Sequence, residues 1–352
     1  MKPPFLKLTA LLICLTALSA GCTGELATAP ALPVPPSSAD WYTLYFSDPE
    51  GPNADSQRGG PDAALAQAID QAQCCIDAAL YDLNLWSIRD ALLGAYQRGI
   101  DVRIVAESDN LDRPEFQALI AAGISILGDR QQALMHDKFV VIDGYQVWTG
   151  SMNMTLNGAY HNDNNLIRID STRLAENYTA EFEEMFVNDL FGSFSPANTP
   201  HPSITLDGTQ IETYFSPDDG VQARVVELIN QAQTSVHLLA FGLTADPIAD
   251  ALAAAHQRGV QVIGVIETGQ VDNAGSDVQR LLDAGVDLRL DGSPRNMHHK
   301  VIIIDGEIVL FGSYNFSGSA EERNDENLLV VHNSELAAKF EVEFQRVLEI
   351  AQ

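Results

Sequence analysis

Residues 135–144 read Met-His-Asp-Lys-Phe-Val-Val-Ile-Asp-Gly, and residues 298–306 read His-His-Lys-Val-Ile-Ile-Ile-Asp-Gly, so His-x-Lys-x4-Asp occurs twice in one chain. Seven residues after each Asp begins Gly-Ser-x-Asn, giving Gly150, Ser151 and Asn153 in the first copy and Gly312, Ser313 and Asn315 in the second. The apolar, β-branched run between Lys and Asp predicts a buried strand. Asp143-Gly144 and Asp305-Gly306 are tight-turn dipeptides, returning the chain along second strands at Gln146–Thr149 and Glu307–Phe311. Residues two apart on a strand share a face, so His136 and Lys138 point the same way, as do His298 and Lys300. Each hairpin therefore delivers one His, one Lys and one Asn to the same end of a sheet.

Working outward, the repetition covers most of the chain. Tyr45-Phe46-Ser47 matches Tyr214-Phe215-Ser216, Gln97-Arg98-Gly99 matches Gln257-Arg258-Gly259, and Glu107 matches Glu267. A period of about 160 residues is domain-sized, so it marks a duplication rather than a solenoid. Periodicity in the first half predicts a strand at 41–47, a helix at 63–73, a strand at 76–83, a helix at 85–98 ending on Gly99, a strand at 100–106, a helix at 113–122 and a strand at 124–127. Alternating helices and strands imply an α/β fold in which each half is a mixed sheet flanked by helices. Asp55 to Asp62, within the first-half insertion, reads as a surface loop, because a few acidic loop residues rarely complete the six to eight oxygens of a hard-cation shell.

Bulk properties set the surroundings of this core. Residues 1–21 resemble an export signal, with Lys2 and Lys7 ahead of an apolar run from Leu8 to Leu18 that is too short for a permanent span. Leu18-Ser19-Ala20-Gly21-Cys22 resembles a lipobox, which implies an acylated Cys22 followed by a Pro-rich spacer over 22–40. The first repeat is then 41–200 and the second 201–352. The full chain carries 20 basic and 48 acidic residues, a formal charge of −28, which weakens the case for a polyanionic partner. Beyond residue 21 the only lysines are Lys138, Lys300 and Lys339, two of them inside the motif. Arg130, Arg295 and Arg323 lie close enough in sequence to add to a locally basic cleft. Cys74 and Cys75 have no further Cys or His at metal spacing, and a disulfide between neighbours is strained, so the pair reads as small structural residues. His161, His201, His237, His256 and His332 lack a repeated partner and read as structural or surface residues.

Two His, two Lys and two Asn match the needs of phosphodiester cleavage: a nucleophile, a proton donor for the leaving oxygen and neutralisation of the anionic oxygens. Duplicated His-x-Lys-x4-Asp with Gly-Ser-x-Asn resembles the phospholipase D superfamily over residues 41–350. That resemblance implies two fused repeats related by a pseudo-twofold axis, one shared site, a monomer with no metal or other cofactor, and a phosphohistidine intermediate. It makes His136, Lys138, Asn153, His298, Lys300 and Asn315 the catalytic set, with His136 as nucleophile and His298 as general acid. Asp143 and Asp305 become hairpin braces, and Ser151 and Ser313 motif residues. The family's acid eleven positions after the motif Asn falls on Glu326, while the first half departs from the pattern with Asn164. An amide can orient an imidazole without stabilising its cation, so the two histidines are expected to differ.

The leading expectation is a membrane-tethered enzyme, facing the periplasm or cell exterior, that hydrolyses phospholipid head groups or transfers the phosphatidyl group. The alternative is a secreted endonuclease acting on DNA or RNA at the same site. It would need a basic track with stacking aromatics, and aromatics are 7% of the chain with no Lys/Arg cluster. A cardiolipin-synthase reading ranks lower because that type usually carries N-terminal membrane spans. A catalytically dead binding module is disfavoured, since both copies keep His, Lys and Asn.

Overall fold

The computed structural model describes residues 41–352, so the export signal, Cys22 and the Pro-rich spacer lie outside the described residues. No helix among the described residues is long and apolar enough to cross a membrane.

The first half supplies β1 (Tyr42–Phe46), β2 (Cys75–Leu80), β3 (Asp101–Ala106), β4 (Ser125–Gly128), β5 (Lys138–Ile142), β6 (Gln146–Gly150) and β7 (Asn165–Asp170). They form one sheet in the order β1-β7-β6-β5-β2-β3-β4. β2, β3 and β4 run parallel through helical crossovers, and the β5–β6 hairpin and β7 continue antiparallel. Helices α1 (Pro52–Ser56), α2 (Pro61–Gln71), α3 (Trp86–Gln97), α4 (Pro114–Ala122), α5 (Leu156–Tyr160) and α6 (Thr172–Phe186) belong to this half.

The second half repeats the plan. Its strands are β8 (Ser203–Leu206), β9 (Thr209–Ser216), β10 (Ser235–Ala240), β11 (Leu243–Thr244), β12 (Gln261–Ile266), β13 (Asp287–Leu290), β14 (Lys300–Ile304), β15 (Ile308–Gly312), β16 (Phe316–Ser317) and β17 (Glu326–His332). Eight of these form the order β13-β12-β10-β14-β15-β17-β9-β8, the first sheet's order with β8 added at one edge. Its helices are α7 (Val221–Gln231), α8 (Asp246–Gln257), α9 (Val278–Asp283), α10 (Gly318–Glu322) and α11 (Ser334–Ile350). The motif strands β5 and β14 are buried along their whole length, as strands covered on both faces must be.

One apolar core is shared by the halves: Phe139, Tyr178 and Phe182 join Val301, Phe340 and Phe344 between the sheets. Separate cores under α2–α4 and α7–α9 close the outer faces. The helices facing the shared core begin on matched caps, Ser171 Oγ accepting from Leu174 N and Asn333 Oδ1 from Leu336 N.

Two expectations need correction in the first-half insertion. Of the loop expected over 55–62, residues 57–60 are non-helical, but 55–56 close α1, and Asp62 is buried at the start of α2. The Asp62 carboxylate accepts from Tyr160 Oη at 2.6 Å and Ser87 Oγ at 2.5 Å. Its charge is met by hydroxyl groups far away in sequence, which local composition does not reveal.

Candidate active site

The histidine-bearing segments are placed by pairing across the halves. His136 N donates to Asp325 O and His298 N donates to Asp163 O, each at 2.9 Å, so each motif runs beside the chain that leads into the other half's β7 or β17. Glu107 and Glu267 brace these segments from behind. Their carboxylates accept from Met135 N at 3.1 Å and Met297 N at 2.7 Å.

This crossing brings the residue eleven positions after each motif Asn against the opposite histidine. Nδ1 of His136 lies 2.9 Å from Glu326 Oε2, although the ring N–H is not aligned on that oxygen. Nδ1 of His298 lies 2.8 Å from Asn164 Oδ1 and 3.2 Å from Ser151 O. With Nδ1 turned to these acceptors, Nε2 of each imidazole is the nitrogen left for chemistry. Ser151 Oγ donates to Asn164 Oδ1 at 2.9 Å, fixing the amide that receives His298.

Both lysines are buried and each donates to the carbonyl of its own histidine, Lys138 Nζ at 2.6 Å and Lys300 Nζ at 2.9 Å. Each ammonium also sits over an aromatic face, Lys138 on Tyr81 at 4.9 Å and Lys300 on Phe241 at 4.8 Å. The same two rings meet His136 and His298 edge-on, with centroids 4.8 and 4.7 Å apart. Asn153 and Asn315 are partly exposed, and each has a buried Oδ1 without a partner. Gly150 and Gly312 are obligatory, because a Cβ there would overlap the carbonyl oxygens of Asn165 and Asn327.

Burial dominates the electrostatics. It pushes both histidines well below 6.5, with the two lysines adding to the effect. It lowers Lys138 to about 7, opposed by Glu326, and drives Lys300 well below its usual value. Glu326 is raised by burial to about 7 against the pull of the lysines. These charges are unfavourable in the empty cleft, and an anionic group between the lysines would restore them.

Asp143 and Asp305 stand away from this chemistry. Each occupies a left-handed turn position, at φ 55° and 54°. Their carboxylates accept backbone N–H groups from 73–75 and 233–235, pinning each hairpin to the start of the neighbouring strand. Cys74 and Cys75 are free thiols at that first turn, with Sγ atoms 2.8 Å apart. Together with Asp143 they form the one His/Cys/Asp/Glu group compact enough to surround an ion among the described residues. Burial pushes the Cys74 thiol far up, and Asp143 already serves the backbone, so the set does not favour a metal.

Of the arginines near the motifs, Arg130 pairs with Asp189, Arg323 donates to Ser319, and Arg295 is exposed without an ion pair among the described residues. His201, His237 and His332 pair with Glu176, Glu341 and Glu212, as structural histidines do. Sequence reasoning missed Tyr81 and Phe241, whose signal was available as an aromatic at matching positions of the two halves. It also missed Asn165 and Asn327, which reach across to His299 at 3.0 Å and Asp137 at 2.6 Å.

A family model described as "Cardiolipin synthase, PLD-like domain" matches residues 65–186 and again 225–348. A "Phospholipase D" of Rickettsia bellii (strain RML369-C) is 33% identical over 158 residues, covering 43% of this chain and 79% of that protein. A "Mitochondrial cardiolipin hydrolase" of Chlamydomonas reinhardtii is 31% identical over 128 residues, covering 36% and 57%. Among solved structures, a phosphatidylserine synthase of Haemophilus influenzae Rd KW20 shares the fold, with a TM-score of 0.66 at 12% identity over 88% of this chain and 86% of that one. The chain belongs to the phospholipase D superfamily. It is a phosphodiesterase of the phospholipase D type.

Proposed function

We propose that this enzyme cleaves the head-group phosphodiester of phospholipids, with His136 as nucleophile and His298 as general acid. The observation carrying the role assignment is the unequal support of the two rings: a carboxylate beside His136 and a neutral amide beside His298. Nε2 of His136 bonds to phosphorus while the P–O bond to the leaving alcohol breaks, and protonated His298 gives its proton to that oxygen. Glu326 stabilises the positive charge that the phosphorylated imidazole acquires. The bound anionic diester offsets the lysines and lets His298 hold a proton, which it gives up readily because no carboxylate stabilises its cation. Neutral His298 then takes a proton from water, whose oxygen attacks phosphorus and frees His136. A second alcohol in place of water gives transfer instead of hydrolysis.

Lys138, Lys300, Asn153 and Asn315 bind the non-bridging oxygens, so no metal or other cofactor enters the scheme. The lipid substrate is favoured by the relatives named as phospholipase D and cardiolipin hydrolase and by an acidic body that repels polyanions. Export as a monomer tethered through Cys22 would place that site beside its substrate.

The test is parallel assay of the chain from Ala39 onward on mixed phospholipid vesicles and on single-stranded and duplex DNA and RNA. Head-group release that is lost in His136→Ala and His298→Ala supports the lipid reading. Nucleic-acid cleavage with the same dependence and no lipid turnover would replace it with an endonuclease.

A further inference from the structure

The second repeat buries a network centred on one arginine behind its motif. His299 Nε2 lies 3.0 Å from Glu343 Oε1, Arg346 donates to both Glu343 oxygens at 2.9 and 2.7 Å, and the same guanidinium pairs with Asp163. Arg346 and His299 hold Glu343 at about 2 against the opposing effect of burial. Every residue of this quartet has a counterpart 162 positions away, as the catalytic residues do: Asp137 for His299, Glu181 for Glu343, Glu184 for Arg346 and Asp325 for Asp163. The first-half quartet is therefore four acids, with the arginine and the histidine of its twin replaced by carboxyl groups.

All four are nearly inaccessible, with 0 to 4% exposure, and among the described residues none makes an ion pair. Asp137 Oδ2, Glu181 Oε1 and Glu184 Oε1 are buried without any donor. The donors that do reach the group are few: Asn327 Nδ2 to Asp137, Asn198 Nδ2 to Glu184 at 3.0 Å, and Gly192 N to Asp325 at 2.5 Å. Further carboxylates face it from every side, Asp218 and Asp219 after β9, Asp129 after β4 and Glu326 on β17. The nearest cation, Lys138, acts on Asp137 while its ammonium is bonded to His136 O.

We infer that the acid quartet Asp137, Glu181, Glu184 and Asp325 is kept neutral by bound protons and forms a pH-sensitive lock between the repeats. Four carboxylates buried near one another without an ion pair cannot all ionise, and a proton on an orphaned carboxyl removes the charge that no cation offsets. Burial raises Asp137 and Glu184 to about 7, and Glu181 and Asp325 well above their usual range. In the unfolded chain all four ionise near pH 4, so the folded state carries extra protons above that pH. The stabilisation is full below about pH 4 and is lost as pH rises through 7 and beyond. Because Asp137 lies between His136 and Lys138 and bridges to Asn327, opening of the lock loosens the catalytic strand.

The experiment compares the unfolding equilibrium of the chain from Ala39 onward with that of quartet variants between pH 6.5 and 8.5, so that groups common to both, among them the unfolded histidines, Lys138, Lys300, Glu107 and Glu326, cancel in the difference. The folding constant should fall with pH, by up to about tenfold per pH unit for each proton the quartet retains. Glu184→Arg, which copies Arg346, should flatten this slope and raise the melting temperature at pH 8.5. Glu184→Gln, which adds no bulk, should reduce the slope if the arginine does not fit. Infrared difference spectra should show the carbonyl stretch of protonated carboxylic acid at pH 6.5, diminished in both variants. A slope unchanged in both variants, or no carboxylic-acid band in the unsubstituted protein at pH 6.5, would overturn the proposal. So would a pH dependence abolished by millimolar calcium or magnesium with no carboxylic-acid band, which would make the quartet a cation site.

Discussion

Glu326 of the second repeat lies against Nδ1 of His136 in the first, 2.9 Å away, while the equivalent Asn164 of the first repeat receives His298 of the second at 2.8 Å. The two histidines of one cleft are thus supported from opposite halves by groups of different charge. An imidazole beside a carboxylate can carry positive charge in a buried site, whereas one beside an amide gives that charge up.

The first prediction concerns order of action. With a diester bearing a good leaving group such as p-nitrophenol, bond breaking no longer needs the general acid. His298→Ala should then release about one equivalent of p-nitrophenol per enzyme and accumulate a phosphorylated protein seen by intact mass. His136→Ala should show neither burst nor mass shift. The reverse pattern would exchange the two roles.

The second concerns Asn164. Replacing it by Asp sets a carboxylate beside His298 and favours its cation, raising its pKa. The alkaline limb of the kcat profile, where the acid loses its proton, should move to higher pH in Asn164→Asp. Glu326→Gln removes the charge beside His136 and should lower kcat by about 10²- to 10⁴-fold, the range of an acid–base contribution. An unmoved alkaline limb in Asn164→Asp would show that Nδ1 support does not set the acidity of His298.

Third, the lysines should charge when anion binds. Burial holds Lys138 at about 7 and Lys300 well below its usual value, so near pH 7.5 the cleft lacks part of its positive charge. Inorganic phosphate should bind with net proton uptake, read by calorimetry in buffers of different ionisation enthalpy. Lys138→Met and Lys300→Met should each reduce this uptake and lower kcat/KM by about 10²- to 10³-fold, the scale of one lost oxyanion contact.

Fourth, the hairpin aspartates should matter for stability and little for catalysis. Asp143→Ala and Asp305→Ala each orphan backbone N–H groups, a loss of about 1–3 kcal/mol in chemical denaturation. The backbone and Thr234 hydrogen bonds hold Asp305 below its usual pKa against burial. Its contribution should therefore persist above pH 4 and fade only as pH falls through the lowered value. A kcat change of more than about tenfold in folded Asp305→Ala would assign it a chemical role.

Much of the catalytic hairpin was legible because its signals are local. The Lys-Phe-Val-Val-Ile run and the Asp-Gly turn are fixed within a few residues, and the Gly-Ser-x-Asn that follows stands at the same spacing in both copies. The partner of Glu326 was not legible, since the contact spans 190 positions and depends on the Met135–Asp325 bridge between halves. Asp62 was misread for the same reason: its acceptor role depends on Tyr160, 98 positions away at the end of α5. Tyr81 and Phe241 stand between these cases, matched in the sequence but mute until the lysines are seen over their faces.

The crossed arrangement of Glu326 and Asn164 has an evolutionary consequence. In a homodimer of one repeat, a substitution strikes both histidines at once, so both rings must keep the same neighbour. Covalent fusion released that constraint. One copy could abandon its acid while the other retained it, and two identical imidazoles could specialise without either motif changing a letter.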